Sequence, residues 1–130
     1  IEYKGDLSTE IEHLDSGSKI TTDAPKDNQG LGRTFSPTDL VASSLASCMI
    51  TIIAIAKRTH SLNIDTMDAD VDKIMSSSLP RKISQINVKI SIQGNLDDKS
   101  KLIIERSAKN CPVHHTLGSD TIIDLSFNYS

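Results

Sequence analysis

One stretch restricts this chain more than any other: residues 36–60 open like a helix and stay apolar around nearly the whole circumference. Ser36-Pro37-Thr38-Asp39 places a hydroxyl at the N-cap, a proline at the first helical position and a carboxylate at the third. The hydroxyl can accept from an orphan amide, and the proline gives up no donor the helix could have used. The acid can reach back to the cap while favouring the positive end of the helix dipole. Lys57, Arg58 and His60 suit the negative end, so the helix is predicted to run to about residue 58. Between these ends, Leu45, Met49, Ile50, Ile52, Ile53 and Ile55 point in almost every direction. A surface helix would keep a polar stripe. This one has to be surrounded, either by a sheet that wraps it or by a second subunit.

The flanking segments supply strands. In residues 1–22, Tyr3, Leu7, Ile11 and Ile20 are separated by polar residues, and Asp15-Ser16-Gly17 has turn chemistry, which predicts two strands. Residues 23–35 carry Pro25, Asn28, Gly30 and Gly32 and read as a loop, long enough to be a place for function. Residues 67–72 and 86–92 alternate apolar with polar residues, predicting an antiparallel hairpin with one wet face, joined loosely through residues 76–80. Residues 95–110 read as a second helix built on Leu102, Ile103 and Ile104. Cys111-Pro112 opens a short third helix that stops before Gly118, and residues 121–129 form a last strand. No repeat or low-complexity segment interrupts the pattern, so the expectation is a single α+β domain over residues 1–130.

Charge and composition narrow the function. With 14 basic against 17 acidic residues and a net charge of −3, the chain has no basic footprint for nucleic acid. There is no Trp and there are only two Phe and two Tyr, so Ile and Leu fill the core and recognition by aromatic stacking is not expected. No uninterrupted apolar run reaches the roughly 18 residues of a membrane span. No signal-peptide pattern opens the chain, and a cytoplasmic location is expected. Two cysteines are too few for a disulfide scaffold. In a cytosolic chain such a pair is more often reactive, metal-binding or buried.

The two cysteines differ in local setting. Cys48 lies about eleven residues into the long helix, beyond reach of its dipole, and among apolar neighbours that leave a thiol inert. It reads as a small core hydrophobe unless the fold delivers a cation, for which Arg33 is the nearest in sequence. Cys111 precedes Pro112 and is therefore an N-cap, where amide N–H groups favour thiolate. His114 falls on the same side of that first turn and could serve as its proton partner; the alternative is that His114 and His115 are a solvated pair. Cys111-x-x-His114, completed by Cys48 and His60 or His115, could also hold zinc, although zinc ligands usually come as two close pairs. Gly-x-Ser-x-Gly, phosphate-loop and dinucleotide glycine patterns do not occur.

Taken together, residues 35–42 (Phe-Ser-Pro-Thr-Asp-Leu-Val-Ala), Leu45-Ala46-Ser47-Cys48 and Cys111-Pro112-Val113 resemble the OsmC/Ohr family of osmotically inducible and organic-hydroperoxide-resistance proteins. The order of elements is similar over essentially the whole chain. The resemblance implies antiparallel sheets wrapped around a long central buried helix, in an intertwined homodimer. It also implies a thiol peroxidase, in which Cys48 attacks a small organic hydroperoxide, Cys111 then closes a disulfide and an external dithiol reduces it, with no bound cofactor or metal. In the family's peroxidases an acid ten residues before the first cysteine pairs with an activating arginine from an N-terminal strand or loop. Here that position is Thr38, the acid is its neighbour Asp39, about 100° further round the helix, and the first arginine of the chain is Arg33. The resemblance thus nominates Cys48, Cys111, Arg33 and Asp39 as the site. The alternative is a non-catalytic domain of the same fold that binds a small apolar ligand or a partner at the dimer cleft.

Overall fold

The computed structural model describes all 130 residues. Two compact units divide the chain, Ile1–Val41 and Ala42–Ser130.

The first unit is a three-stranded antiparallel sheet of β1 (Glu2–Gly5), β2 (Ser8–Glu12) and β3 (Lys19–Asp23), in that order. Where two strands were expected there are three, because the chain reverses at Gly5, Asp6 and Leu7, all with positive φ (89°, 49° and 59°). Leu7 is a turn residue rather than the strand residue its spacing suggested. The second reversal falls at the predicted place, closed by a hydrogen bond from His13 N to Ser18 O of 2.9 Å. Beyond β3 the loop makes one 3-10 turn, Lys26–Asn28, and folds back through Gly32 N to Ala24 O at 3.1 Å. Gly30 is obligatory there: a Cβ would stand 1.7 Å from the Ala24 carbonyl oxygen. Within this unit Ile1, Tyr3, Leu7, Leu14, Ile20, Leu31 and Phe35 are exposed.

Helix α1 spans Pro37–His60, starting at the expected cap and running two residues past the expected end. The second unit adds β4 (Ile64–Met75), β5 (Ile83–Gly94), α2 (Asp98–Lys109), α3 (Pro112–Thr116) and β6 (Ile122–Tyr129). β4 and β5 form the predicted antiparallel hairpin, with Asp70 opposite Lys89 and Val71 opposite Val88. α2 begins three residues later than the sequence suggested because the Asp97 carboxylate caps it, accepting from Ser100 N at 2.8 Å. The sheet is mixed rather than antiparallel throughout, since β6 runs parallel to β5, with Ile90 beside Phe127. A hairpin cannot join parallel neighbours; α2 and α3 are the crossover that carries the chain back to the starting edge.

The alternation of β5 explains the core. Ile86, Val88, Ile90 and Ile92 are fully buried, while the intervening residues face outward. Against this row pack Ala42, Leu45, Ala46, Met49 and Ile53 of α1 and Ile104 and Ala108 of α2. By length and mean hydropathy α1 is long and apolar enough to cross a bilayer, contrary to the run-length expectation, because Ser and Thr interrupt the run while its mean stays high. Its buried face makes it a core helix instead. The rest of its circumference is not enclosed within the second unit, where Ile55 is exposed and Ile52 is half-buried.

Truncation of Ile90 to alanine is expected to destabilise the protein by about 2–5 kcal/mol. The same change at Ile74, on the outer face of the sheet, should shift stability by no more than about 0.5 kcal/mol. Urea denaturation of the two variants compares them directly.

Candidate functional site

Cys48 sits in the middle of α1, between the buried Leu45 and Met49, at the edge where the helix surface turns toward solvent, and is half-buried. Cys111 is fully buried. It occupies the joint between two helices: Asn110 N folds back onto Arg106 O and Ser107 O, both at 3.1 Å, and Pro112 opens α3 at its first position. The chain there is extended (Cys111 φ −64°, ψ 130°), so the side chain turns inward instead of following the helical path. Its sulfur lies 4.0 Å from the carbonyl oxygen of Leu45, three residues before Cys48 on α1. Cys48 packs against the buried cluster that includes Cys111, near enough to raise the pKa of that thiol, and both cysteines are free. Residues remote in sequence are thereby brought together inside one unit.

The electrostatics of Cys111 run opposite to the expectation for a capping thiol. Burial pushes its pKa up, the hydrogen bond with Cys48 pushes in the same direction, and the backbone N–H groups of His114 and Val113 pull only partly back. The sulfur closes no cap hydrogen bond of ordinary geometry, and a helix of five residues offers little dipole against full desolvation. His114 is not turned to Cys111 as a proton partner: its Nδ1 donates to Lys109 O at 3.0 Å, at the C-terminal end of α2. His115 is exposed. No three His, Cys, Asp or Glu side chains come together in a metal-ligand cluster, so the zinc set suggested by Cys111-x-x-His114 is not assembled.

Arg33 and Asp39 do not form the acid–arginine pair suggested by the resemblance. Asp39 completes a capping box: its Oδ2 accepts from Ser36 N at 2.8 Å and from Ser36 Oγ at 2.7 Å, while Asp39 N donates to Ser36 Oγ at 3.1 Å. Arg33 is held by Asp23, at the end of β3. Nε donates to Oδ2 at 2.8 Å, Nη2 to Oδ1 at 2.9 Å and the backbone N–H to Oδ2 at 2.8 Å. The Asp23 side chain is 1% exposed and that of Arg33 52%, so a buried carboxylate grips a half-exposed cation. The hydrogen bonds from Arg33 hold the Asp23 carboxyl at about 2, against the opposing effect of burial. Sequence reasoning passed over Asp23, which reads as one more polar residue where a strand meets a loop; its burial is the only signal.

Once this geometry is in hand, the relatives are informative. The family model described as OsmC-like protein matches residues 28–126, and the chain belongs to the OsmC-like family. A protein of Psychrobacter arcticus 273-4 assigned to the osmotic-stress-induced and detoxification response is 43% identical, with a TM-score of 0.91 over 98% of this chain and 92% of its own. An OsmC-like protein from Mycoplasma pneumoniae (21% identity, TM-score 0.76, 97% of each chain) has the same fold. So does an organic hydroperoxide resistance protein OsmC from Legionella pneumophila (14% identity, TM-score 0.77, 98% of this chain and 99% of that one). No curated protein matches the chain.

Two measurements check the site. Because the Asp23 pKa is lowered on folding, its contribution is complete above the ordinary carboxylate value near ~4 and is lost as pH falls toward about 2. Asp23→Asn should therefore lower the melting temperature at neutral pH and flatten its decline between about pH 4 and 2, as thermal melts across that range will show. In Cys48→Ser, the remaining thiol should react with a disulfide reagent at least about ten times more slowly in the native protein than after denaturation. Equal rates would contradict the buried placement of Cys111.

Proposed function

We propose that this protein is a thiol-dependent peroxidase that reduces organic hydroperoxides in oxidative-stress defence, using Cys48 and Cys111 as a redox pair. The observation that carries this is the adjacency of a half-buried thiol and a fully buried one within a single packed unit. The Legionella protein of the same fold, an organic hydroperoxide resistance protein, supports the substrate class.

The chemistry balances with these two residues and an external reductant. The Cys48 thiolate attacks the terminal oxygen of the hydroperoxide, the O–O bond breaks, and the alkoxide leaves with a proton as the alcohol. Cys48 is left as a sulfenic acid. The Cys111 sulfur then attacks the Cys48 sulfur; the hydroxyl departs with the Cys111 proton as water, and a disulfide forms. A dithiol reduces it by exchange, which returns both thiols and oxidises the reductant. Burial raises the Cys111 pKa, so this thiol is protonated at rest and its proton leaves with the hydroxyl as the disulfide forms. No bound cofactor or metal enters the scheme. The resemblance nominates Arg33 as its cation, and Asp39 contributes by starting the helix that carries Cys48.

A homodimer belongs to the same proposal. Exposed apolar residues, Ile55 of α1 in the second unit and Tyr3 and Ile20 of the N-terminal sheet in the first, are each left uncovered by their own unit, and a second copy would bury them. Free thiols and a dithiol partner fit a reducing compartment, the cytoplasm.

The test is turnover of cumene and tert-butyl hydroperoxides with dithiothreitol as reductant. Wild type should consume both, Cys48→Ser should lose at least about a thousand-fold, and Cys111→Ser should take up one equivalent of peroxide and then stall without forming the intramolecular disulfide. A wild type that reduces neither hydroperoxide would leave the alternative, a non-catalytic domain that binds a small apolar ligand, as the better account.

A further inference from the structure

We infer that His114 is a positioning residue of this peroxidase, a clip that fixes the joint on which Cys111 approaches Cys48; this rests on the proposed function, in which Cys111 closes the disulfide. The clip is a hydrogen bond from the ring to the main chain: Nδ1 donates to Lys109 O at 3.0 Å. It spans the break between α2 and α3, and Cys111 lies inside the loop that it closes. The histidine nearest the thiol in sequence thus braces its backbone instead of taking its proton.

The need for a clip follows from Pro112. In a continuing α2, Ala108 O would accept from the N–H of residue 112 and Lys109 O from that of residue 113. Pro112 has no N–H to give, and Ala108 O takes the Cys111 N–H instead, at 3.3 Å. The N–H of Val113 is turned to the Cys111 sulfur. Lys109 O thereby loses the donor that helical geometry would have sent it, and the His114 ring supplies the replacement.

The two sides of the joint are not equally firm. Ile104 and Ala108 anchor α2 in the core, and the Asp97 carboxylate caps its start. α3 has five residues and none is fully buried. Its own bonds, His115 N to Cys111 O at 3.2 Å and Leu117 N to Val113 O at 3.1 Å, give it a shape but no fixed angle to α2. Val113 and Leu117, half-buried against the core, set that angle loosely, and the ring bond, which crosses from one helix to the other, pins it. The angle matters because closure is directional. The Cys111 sulfur must come in behind the S–O bond of the Cys48 sulfenic acid, so that the S–S bond forms as the hydroxyl leaves with the Cys111 proton as water.

The experiment times two events after cumene hydroperoxide is added without reductant. Release of cumyl alcohol follows oxidation of Cys48, and loss of the second thiol follows closure; dimedone traps any sulfenic acid left waiting. His114→Ala should release alcohol at the wild-type rate, close about five- to tenfold more slowly and yield a dimedone adduct on Cys48 that wild type does not. His114→Asn, whose amide nitrogen stands where Nδ1 stood, should close within about twofold of wild type, whereas His114→Gln, whose amide reaches the Nε2 position, should stay slow. These two variants carry the test even where His114→Ala does not fold. His115→Ala removes a ring that meets His114 edge-on at 5.7 Å and makes no such bond, and should close at the wild-type rate.

The inference is overturned if His114→Ala closes as fast as wild type, if alcohol release slows as much as closure, if the Asn and Gln variants behave alike, or if His115→Ala is slow as well. A wild type that releases no alcohol brings down the proposed function instead. The same variants are then compared with diamide, which joins two thiols without peroxide, and the clip stands or falls by the same order of closure rates. A wild type that closes with neither oxidant overturns both.

Discussion

The larger unit depends on the burial of one face of α1 against the inner row of β5. Four fully buried side chains of β5, every second residue of one strand, meet α1 residues spaced three and four apart, the strand's period of two against the helix's 3.6. That contact also places Cys48. Its neighbours Leu45 and Met49 are locked into the core, so a residue between them can neither retreat inward nor swing away. The thiol is held at the margin of the core by packing it does not itself provide.

The second thiol comes from the opposite kind of structure. Cys111 sits where regular structure fails, between the end of α2 and the proline that starts α3. The break directs the side chain inward to the level of Leu45, where desolvation controls its proton. Two identical functional groups thus acquire different characters from their surroundings. One faces the edge of a rigid helix and is accessible; the other is sealed behind it and holds its proton firmly.

Much of this is written in local sequence signals. The cap at Ser36, the period-two hairpin, and Cys111-Pro112 opening a short helix each obey rules that act within a few residues, and each is found where those rules place it. The departures are all non-local. Leu7 looks like a strand residue until the strands on either side are seen to pair. The parallel register of β6 depends on which edge of β5 stays open after the hairpin forms, which no window on residues 121–129 can reveal. Asp23 becomes special only because three donors of Arg33 converge on it, and Asp39, better placed on motif grounds, spends its carboxylate on the cap. Both cysteines were legible as candidates; their contact and the rise in the Cys111 pKa were not.

The mixed sheet has a consequence for where the chain can change length. Cys111 rides on the crossover between β5 and β6, and both ends of that crossover are strands paired in fixed register. An added or deleted residue in α2 or in the joint would rotate or shift the sulfur relative to α1, because neither end can slide to absorb it. The β4–β5 connection, by contrast, runs out to a tip at which Leu79 is almost fully exposed, and the antiparallel ladder below it is unaffected by what the tip contains. Insertions and fusions belong at residues 77–81, whereas residues 95–110, between β5 and Cys111, are a ruler whose length is part of the chemistry.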